Sequence, residues 1–433
     1  MKVINPVVSS GYAPYTRAGT AYYVNEAGAM TAAAPDVVRF DWTNGTFNGA
    51  LVEPTRTNLL LNSVTYHSGP TPTELTYLVE SGQYYTLSFF GSGYAQLKDA
   101  SILLVLGTSG GIGIGNRTSV TFRATSNNLG IVATGTLIYA QLEKGSSATS
   151  YILTTVAEAI RPACVVTGYG LIASSFTDAT ALYNPATTYA LNAVVRVAPR
   201  LYASLQAGNT GHAPATSPTW WLDTGPDNPY AMLDQQVSTP SIGASGTEQF
   251  ALRLPSNVDA VAVLDTVSTS VRAAISTGYS GFSSQTRTGA SEEAIFSGFT
   301  AGNTVSVQLN NSGLLANAGE VIVGTSSSVG DTHYGVGVSM LDYSKKTTDE
   351  FGTTTFVPRG FSKRVSATVE VDKADFNTTL ALLISLRATP AVWLLSDDTE
   401  WGGANVYGFL RDLKSVIEYP KKSLYRIEIE GLL

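Results

Sequence analysis

Apolar and polar residues alternate with a period of two through much of this chain. Between residues 46 and 165 the pattern recurs at 84–90, 101–106, 119–123, 130–133 and 136–142, with turn residues between the segments. Successive side chains of a strand face opposite sides, so segments of this length and spacing predict an all-β sandwich. Segments 193–197 and 200–204 predict strands of a smaller unit spanning 166–240. From 241 to 433 further strands are predicted at 249–254, 260–264, 304–309 and 320–323. In the last strand Tyr425, Ile427 and Ile429 point one way, and Arg426, Glu428 and Glu430 the other. One stretch changes period. Phe376, Leu380 and Leu383 fall on one helical stripe, with Asp372 placed to cap it and Pro390 to stop it. Residues 1–45 hold no sustained period and are interrupted by Gly11, Pro14, Gly28 and Pro35. They read as a docking arm whose deletion should leave the sandwiches folded.

A length of 433 residues exceeds one ordinary core and implies about three domains beyond that arm. The expected class is therefore mainly β: multidomain β-sandwiches with a small β module and one helix in the C-terminal domain. Charged residues are 14% of the chain, against roughly 25% in ordinary soluble domains. Such a surface suits an assembly, where unpaired charge is costly to desolvate. A homo-oligomer, and a trimer in particular, is expected.

The net charge is −7, and no basic run exceeds the pairs Lys345-Lys346 and Lys421-Lys422, which excludes nucleic acid as an expected partner. Cys164 is the single cysteine, so no intrachain disulfide or Cys/His zinc spacing exists. No metal or cofactor is expected. Apolar runs such as 102–106 and 381–384 are far too short to span a bilayer, so no membrane insertion is expected.

The strongest binding candidate is the pair Trp220-Trp221 with Tyr189 and Tyr202. An aromatic ring can stack on the C–H face of a pyranose while neighbouring polar groups hydrogen-bond its rim. The competing reading makes these rings the core of a tiny domain. Adjacent residues on a strand face opposite ways, so one tryptophan should be buried and the other exposed, beside Tyr189 or Tyr202. The glycines of 107–115 precede a strand-like segment, not the helix a dinucleotide loop needs, and read as a turn. Asp397, Asp398 and Glu400 sit in one turn beside Trp401. Glycosidase carboxylates flank a bond, so this group reads as a solvated loop or weak calcium site. No Gly-x-Ser-x-Gly elbow supports a serine nucleophile. An enzyme is not expected.

The run Tyr15-Thr-Arg-Ala-Gly-Thr-Ala-Tyr-Tyr-Val-Asn-Glu-Ala-Gly28, then Val38-Arg-Phe-Asp41, then Gly49-Ala-Leu-Val-Glu-Pro-Thr-Arg-Thr-Asn58, resembles a motif series of tailed-bacteriophage tail-tip, baseplate and minor tail proteins. The segment Ala140-Gln-Leu-Glu-Lys-Gly-Ser-Ser-Ala-Thr-Ser-Tyr-Ile152 continues the match. The resemblance implies a lectin-like jelly roll in which Arg17, Glu53, Arg56, Asn58, Gln141 and Glu143 maintain the fold, with Arg56 pairing Glu53 and Asn58 bonding backbone. Residues 183–223 resemble chitin-binding-type carbohydrate modules, and 225–234, 337–346 and 425–431 resemble phage tail sequence. The function so implied is a virion protein made in the host cytoplasm and engaged in host adsorption. Its partners would be other tail or baseplate proteins and a host cell-surface glycan. The alternative is a purely architectural baseplate or collar subunit.

Overall fold

The computed structural model describes the chain except residues 8–10, 12, 100–101, 108–116, 279–281, 290–292, 349, 397–398, 418 and 433. The protein is mainly β, with 55% of it in strands and 5% helical, distributed over several sheets.

Residues 65–144 are built on an antiparallel sheet of six strands. Its spine is Asn128–Lys144, which pairs with Thr65–Leu78, Tyr94–Asp99 and Tyr84–Phe90; the outer strands are Ile102–Gly107 and Thr118–Arg123. Alternation places Leu87, Phe89, Leu97, Leu129, Ile131 and Leu142 in one core. The two segments expected at 130–133 and 136–142 are one strand bent at Gly135. Its φ is +83°, and a Cβ there would stand 2.7 Å from Gly93 Cα, so only glycine fits. Short antiparallel pairs form separate two-stranded sheets: Ala21–Val24 with Met30–Ala33, Phe40–Thr43 with Thr46–Ala50, and Arg56–Asn58 with Ala159–Arg161.

A 13-stranded antiparallel system carries most of the remainder. Thr247–Leu264 and Glu293–Asn310 are its longest strands, and their inner residues Phe250, Val261, Phe296 and Val307 form one core. A second core gathers Trp393, Tyr425, Ile427, Ile429 and Leu383. The alternation of the last strand, Lys422–Gly431, is as the sequence predicts: Tyr425, Ile427 and Ile429 are buried, and Arg426 and Glu428 face solvent. The helix is Phe376–Ser385, and its N-cap is Asp375, not Asp372. Asp372 ends the preceding strand, Phe361–Asp372, and its carbonyl accepts from the Asp375 amide.

The N-terminus corrects the expectation of a separable arm. Lys2–Pro6 lies in the middle of the large sheet, paired with Glu320–Ser328 on one side and Ala391–Leu394 on the other. Val3 and Ile4 are fully buried, on opposite faces of the sheet and in two different cores. Five residues are too few to display a period, which is why the sequence hides this strand. Arg17 and Arg39 are likewise fully buried. Residues 166–240 include a three-stranded antiparallel sheet of Val194–Val197, Arg200–Ser204 and Trp221–Pro226.

Candidate functional site

The small module folds around Trp221, which is 3% exposed. Its indole Nε1 donates to the His212 carbonyl at 2.7 Å, and its ring meets Tyr189 and Tyr183 edge-on at 5.2 and 5.9 Å. These contacts are those of a core residue with a satisfied polar handle. Trp220 is half-buried and lies parallel to the His212 ring, with centroids 3.9 Å apart and planes 11° apart. The His212 Nδ1 stands 3.0 Å from the Asn209 Oδ1, and the Asn209 Nδ2 donates to Ser204 Oγ, so a buried amide fixes the stack from below.

The expected group of four is thus one module but not one platform. Tyr189 belongs with buried Trp221, and Trp220 belongs with His212. Tyr202 stands on the middle strand opposite Val195 and Asp223. His212 was not singled out by the sequence reading. Its signal is an aromatic ring in the Gly208-Asn-Thr-Gly-His212 turn, which the strands return to the tryptophan pair.

The residues of the motif series at 15–58 and 140–152 converge as a buried polar knot. Glu53, inaccessible to solvent, contacts Arg39 at 2.6 Å and Arg161 at 3.2 Å, and accepts from the Ser150 amide and hydroxyl at 2.6 Å each. Burial pushes the Glu53 carboxyl up, but Arg161, Arg39 and the Ser150 hydrogen bonds outweigh it and hold it below its ordinary value. Burial lowers Arg39 too, yet Glu53, Cys164 and Tyr15 raise it overall. Arg56 does not pair with Glu53. It faces Glu143 at 3.4 Å, while Glu143 accepts from the Thr149 amide and hydroxyl and from the Gln141 amide group. Asn58 bonds backbone as expected: its Nδ2 donates to Ala140 and Ile152, and its Oδ1 accepts from Leu60 and Leu142. Arg17 donates to the carbonyls of Gly19, Ala33, Ala34 and Val37. Cys164, also buried, accepts from the Tyr15 hydroxyl at 3.0 Å, and burial foremost pushes that phenol up to about 12.

Arg161, central to the knot, went unrecognised in the sequence, and the role of Arg39 was not read. Both are isolated charges in a charge-poor chain, brought together only by pairing of distant hairpins. Asp397 and Asp398 lie outside the described residues, as do residues 108–116 of the glycine-rich segment. Among the described residues, no group of three or more His, Cys, Asp or Glu side chains stands where it could hold a metal. No helix among them is long and apolar enough to cross a membrane.

No family model matches the chain, and no curated protein does. Solved structures give weak likenesses. A family GH78 rhamnosidase of Bacillus sp. GL1 aligns over 78% of this chain at 8% identity and a TM-score of 0.19; the chain spans 36% of that protein's length. An allantoicase aligns over 60% of this chain and 79% of its own, at 8% identity and a TM-score of 0.17. A fucolectin from striped bass (Morone saxatilis) serum aligns over 74% of this chain and 98% of its own, at 10% identity and a TM-score of 0.16.

Proposed function

We propose that this chain is a non-catalytic tail-tip or baseplate protein of a tailed phage that engages a host-surface glycan during adsorption. The motif series at 15–58 and 140–152 supports the virion assignment. The observation that carries the binding assignment is the partly buried Trp220 ring, seated on His212 at 3.9 Å in a module whose other tryptophan supplies the core. A preset aromatic surface loses little side-chain entropy on meeting a sugar. The test is a glycan array with the purified chain, together with competition for phage adsorption. Retention on host glycans and slowed adsorption are expected; an array without signal and unaltered adsorption would sink the reading.

A purely architectural role is the second reading, favoured by residues 334–361. There Tyr334 is fully exposed and Phe351 is 86% exposed, with Met340, Phe356 and Phe361 also exposed. Apolar exposure on this scale marks surfaces that other proteins cover. Copurification of tail proteins with the chain, without glycan retention, would favour this reading.

A further inference from the structure

A cleft of about 230 Å³ opens on the lectin-like region, remote in sequence from the tryptophan module. Its lining includes Tyr23 from the Ala21–Val24 hairpin, Asp41 and Trp42 from Phe40–Thr43, Phe90 from the end of Tyr84–Phe90, Arg117, and Tyr151. The volume is below the roughly 300–1,000 Å³ of pockets that enclose drug-sized ligands, and so suits a single small unit.

The rings are held in place before any ligand arrives. Trp42 is buried edge-on against Phe47 at 5.3 Å, and Tyr151 against Tyr139 at 5.3 Å and Tyr22 at 5.8 Å. Tyr23 is half-exposed at the rim. The polar groups are of opposite kind. Arg117 carries five N–H donors; one Nη1 hydrogen goes to the Thr149 carbonyl and one Nη2 hydrogen to Ser88 Oγ. Its Nε is buried and finds no acceptor among the described residues. The Asp41 Oδ2 accepts from Asn48 Nδ2 at 2.9 Å. Burial foremost pushes the Asp41 carboxyl up and the Arg117 guanidinium down from their ordinary values, and the attraction of each for the other offsets part of that shift.

The geometry points to this cleft as the seat of one neutral pyranose unit of a glycan, with Asp41 accepting from its hydroxyls and Arg117 donating to them. A hydroxyl both donates and accepts, so a vicinal diol matches an acceptor-only carboxylate beside a donor-only guanidinium. Tyr23 and Trp42 offer apolar surface to the sugar's C–H face. An anionic sugar would bring its carboxylate against Asp41, which disfavours uronic acids. The inference rests on the glycan-binding part of the function proposed above and moves the sugar to a second place on the chain.

The test is saturation-transfer NMR on the full-length chain with glucose, galactose, mannose, rhamnose, N-acetylglucosamine and glucuronate. At least one neutral sugar should receive saturation and glucuronate should not. Asp41→Asn and Tyr23→Ala should each weaken that binding by about tenfold or more, in line with loss of a charge-assisted hydrogen bond or a ring contact. Melting curves check that both variants remain folded, and the near-isosteric Asp41→Asn carries the test if Tyr23→Ala does not fold. The cleft variants are compared with and without Trp220→Ala, so that any saturation transfer at the tryptophan module is subtracted and the remaining neutral-sugar signal reports the cleft. Binding that survives both cleft variants, a signal from glucuronate alone, or no transfer to any sugar would overturn the inference. Glycan binding abolished only by Trp220→Ala would overturn the cleft and leave the adsorption reading standing. Cleft binding in a chain that does not slow adsorption would uphold the cleft and sink the adsorption reading.

Discussion

Arg39 and Glu53 form an ion pair of 2.6 Å in which neither side chain reaches solvent. Arg161 adds a second guanidinium 3.2 Å from the same carboxylate. The three residues come from the approach to the Phe40–Thr43 strand, a loop and the strand Ala159–Arg161, so the knot ties distant segments to one another. Its value lies in mutual satisfaction: a buried charge is tolerable only while its partner is present.

Removing the shared carboxylate should therefore cost more than an ordinary core change. Glu53→Gln leaves two buried guanidiniums without their anion and should destabilise the segments around the knot by about 3–5 kcal/mol. Denaturant titration with hydrogen exchange across residues 128–144 measures the loss. A change under about 1 kcal/mol, the level of a surface ion pair, would mean that the knot contributes little. Because Glu53 titrates below its ordinary value, its stabilisation is present above the unfolded carboxyl range. It disappears as pH falls through the folded value.

Deleting residues 1–7 should damage the large sheet instead of merely detaching the protein from a particle. The deletion removes Val3 and Ile4, both fully buried, and bares the facing edges of Glu320–Ser328 and Ala391–Leu394. Newly exposed edges invite association. A lower melting temperature, faster exchange at 320–328 and 391–394, and soluble aggregates are expected. A truncated chain with wild-type melting would show that the strand is dispensable.

Local pattern was enough to find most strands, and the limits of that legibility are physical. The burial of Tyr425, Ile427 and Ile429 follows from alternation alone. Gly135 looked like a break between two strands because a glycine with positive φ marks a turn and a bulge equally well. The family resemblance implies that Arg56 pairs with Glu53, its neighbour in the motif. In the structure, long-range pairing gives Glu53 to Arg39 and Arg161, and Arg56 to Glu143. For the same reason the burial of one tryptophan was readable, whereas the partner of the other, His212, was not. Strand periodicity reports which side a residue faces, not which distant loop will meet it.

Glu320 gives the large sheet a pH dependence of opposite sign. Burial, reinforced by the charge of Asp234, pushes its carboxyl from the ordinary 4.5 up to about 9. The folded chain then binds a proton that the unfolded chain has released between those values, so stability falls as pH rises through this window. The contribution is complete below about 4.5 and gone above about 9. Melting temperatures recorded from pH 5 to 9 should decline for the wild type, and Glu320→Gln should flatten that part of the slope. Parallel profiles for the two proteins would show that Glu320 is ionised in the folded chain.

The two adjacent tryptophans should separate binding from stability. Trp221 is 3% exposed, is wedged among Tyr183 and Tyr189, and satisfies its Nε1 on His212. Trp221→Ala should cost the small module about 3–5 kcal/mol, the usual price of a large aromatic removed from a core. Trp220, partly buried, stacks on His212. Trp220→Ala should cost about 1–3 kcal/mol of polymeric glycan affinity, by analogy with other aromatic stacking platforms, and leave the module's melting nearly unchanged. Proteolysis of the 183–226 segment reads the first effect, and retention on immobilised host polysaccharide reads the second. If Trp220→Ala melts the module as strongly as Trp221→Ala, its ring serves the fold. Residues 183–226 are then a spacer, which favours the architectural reading.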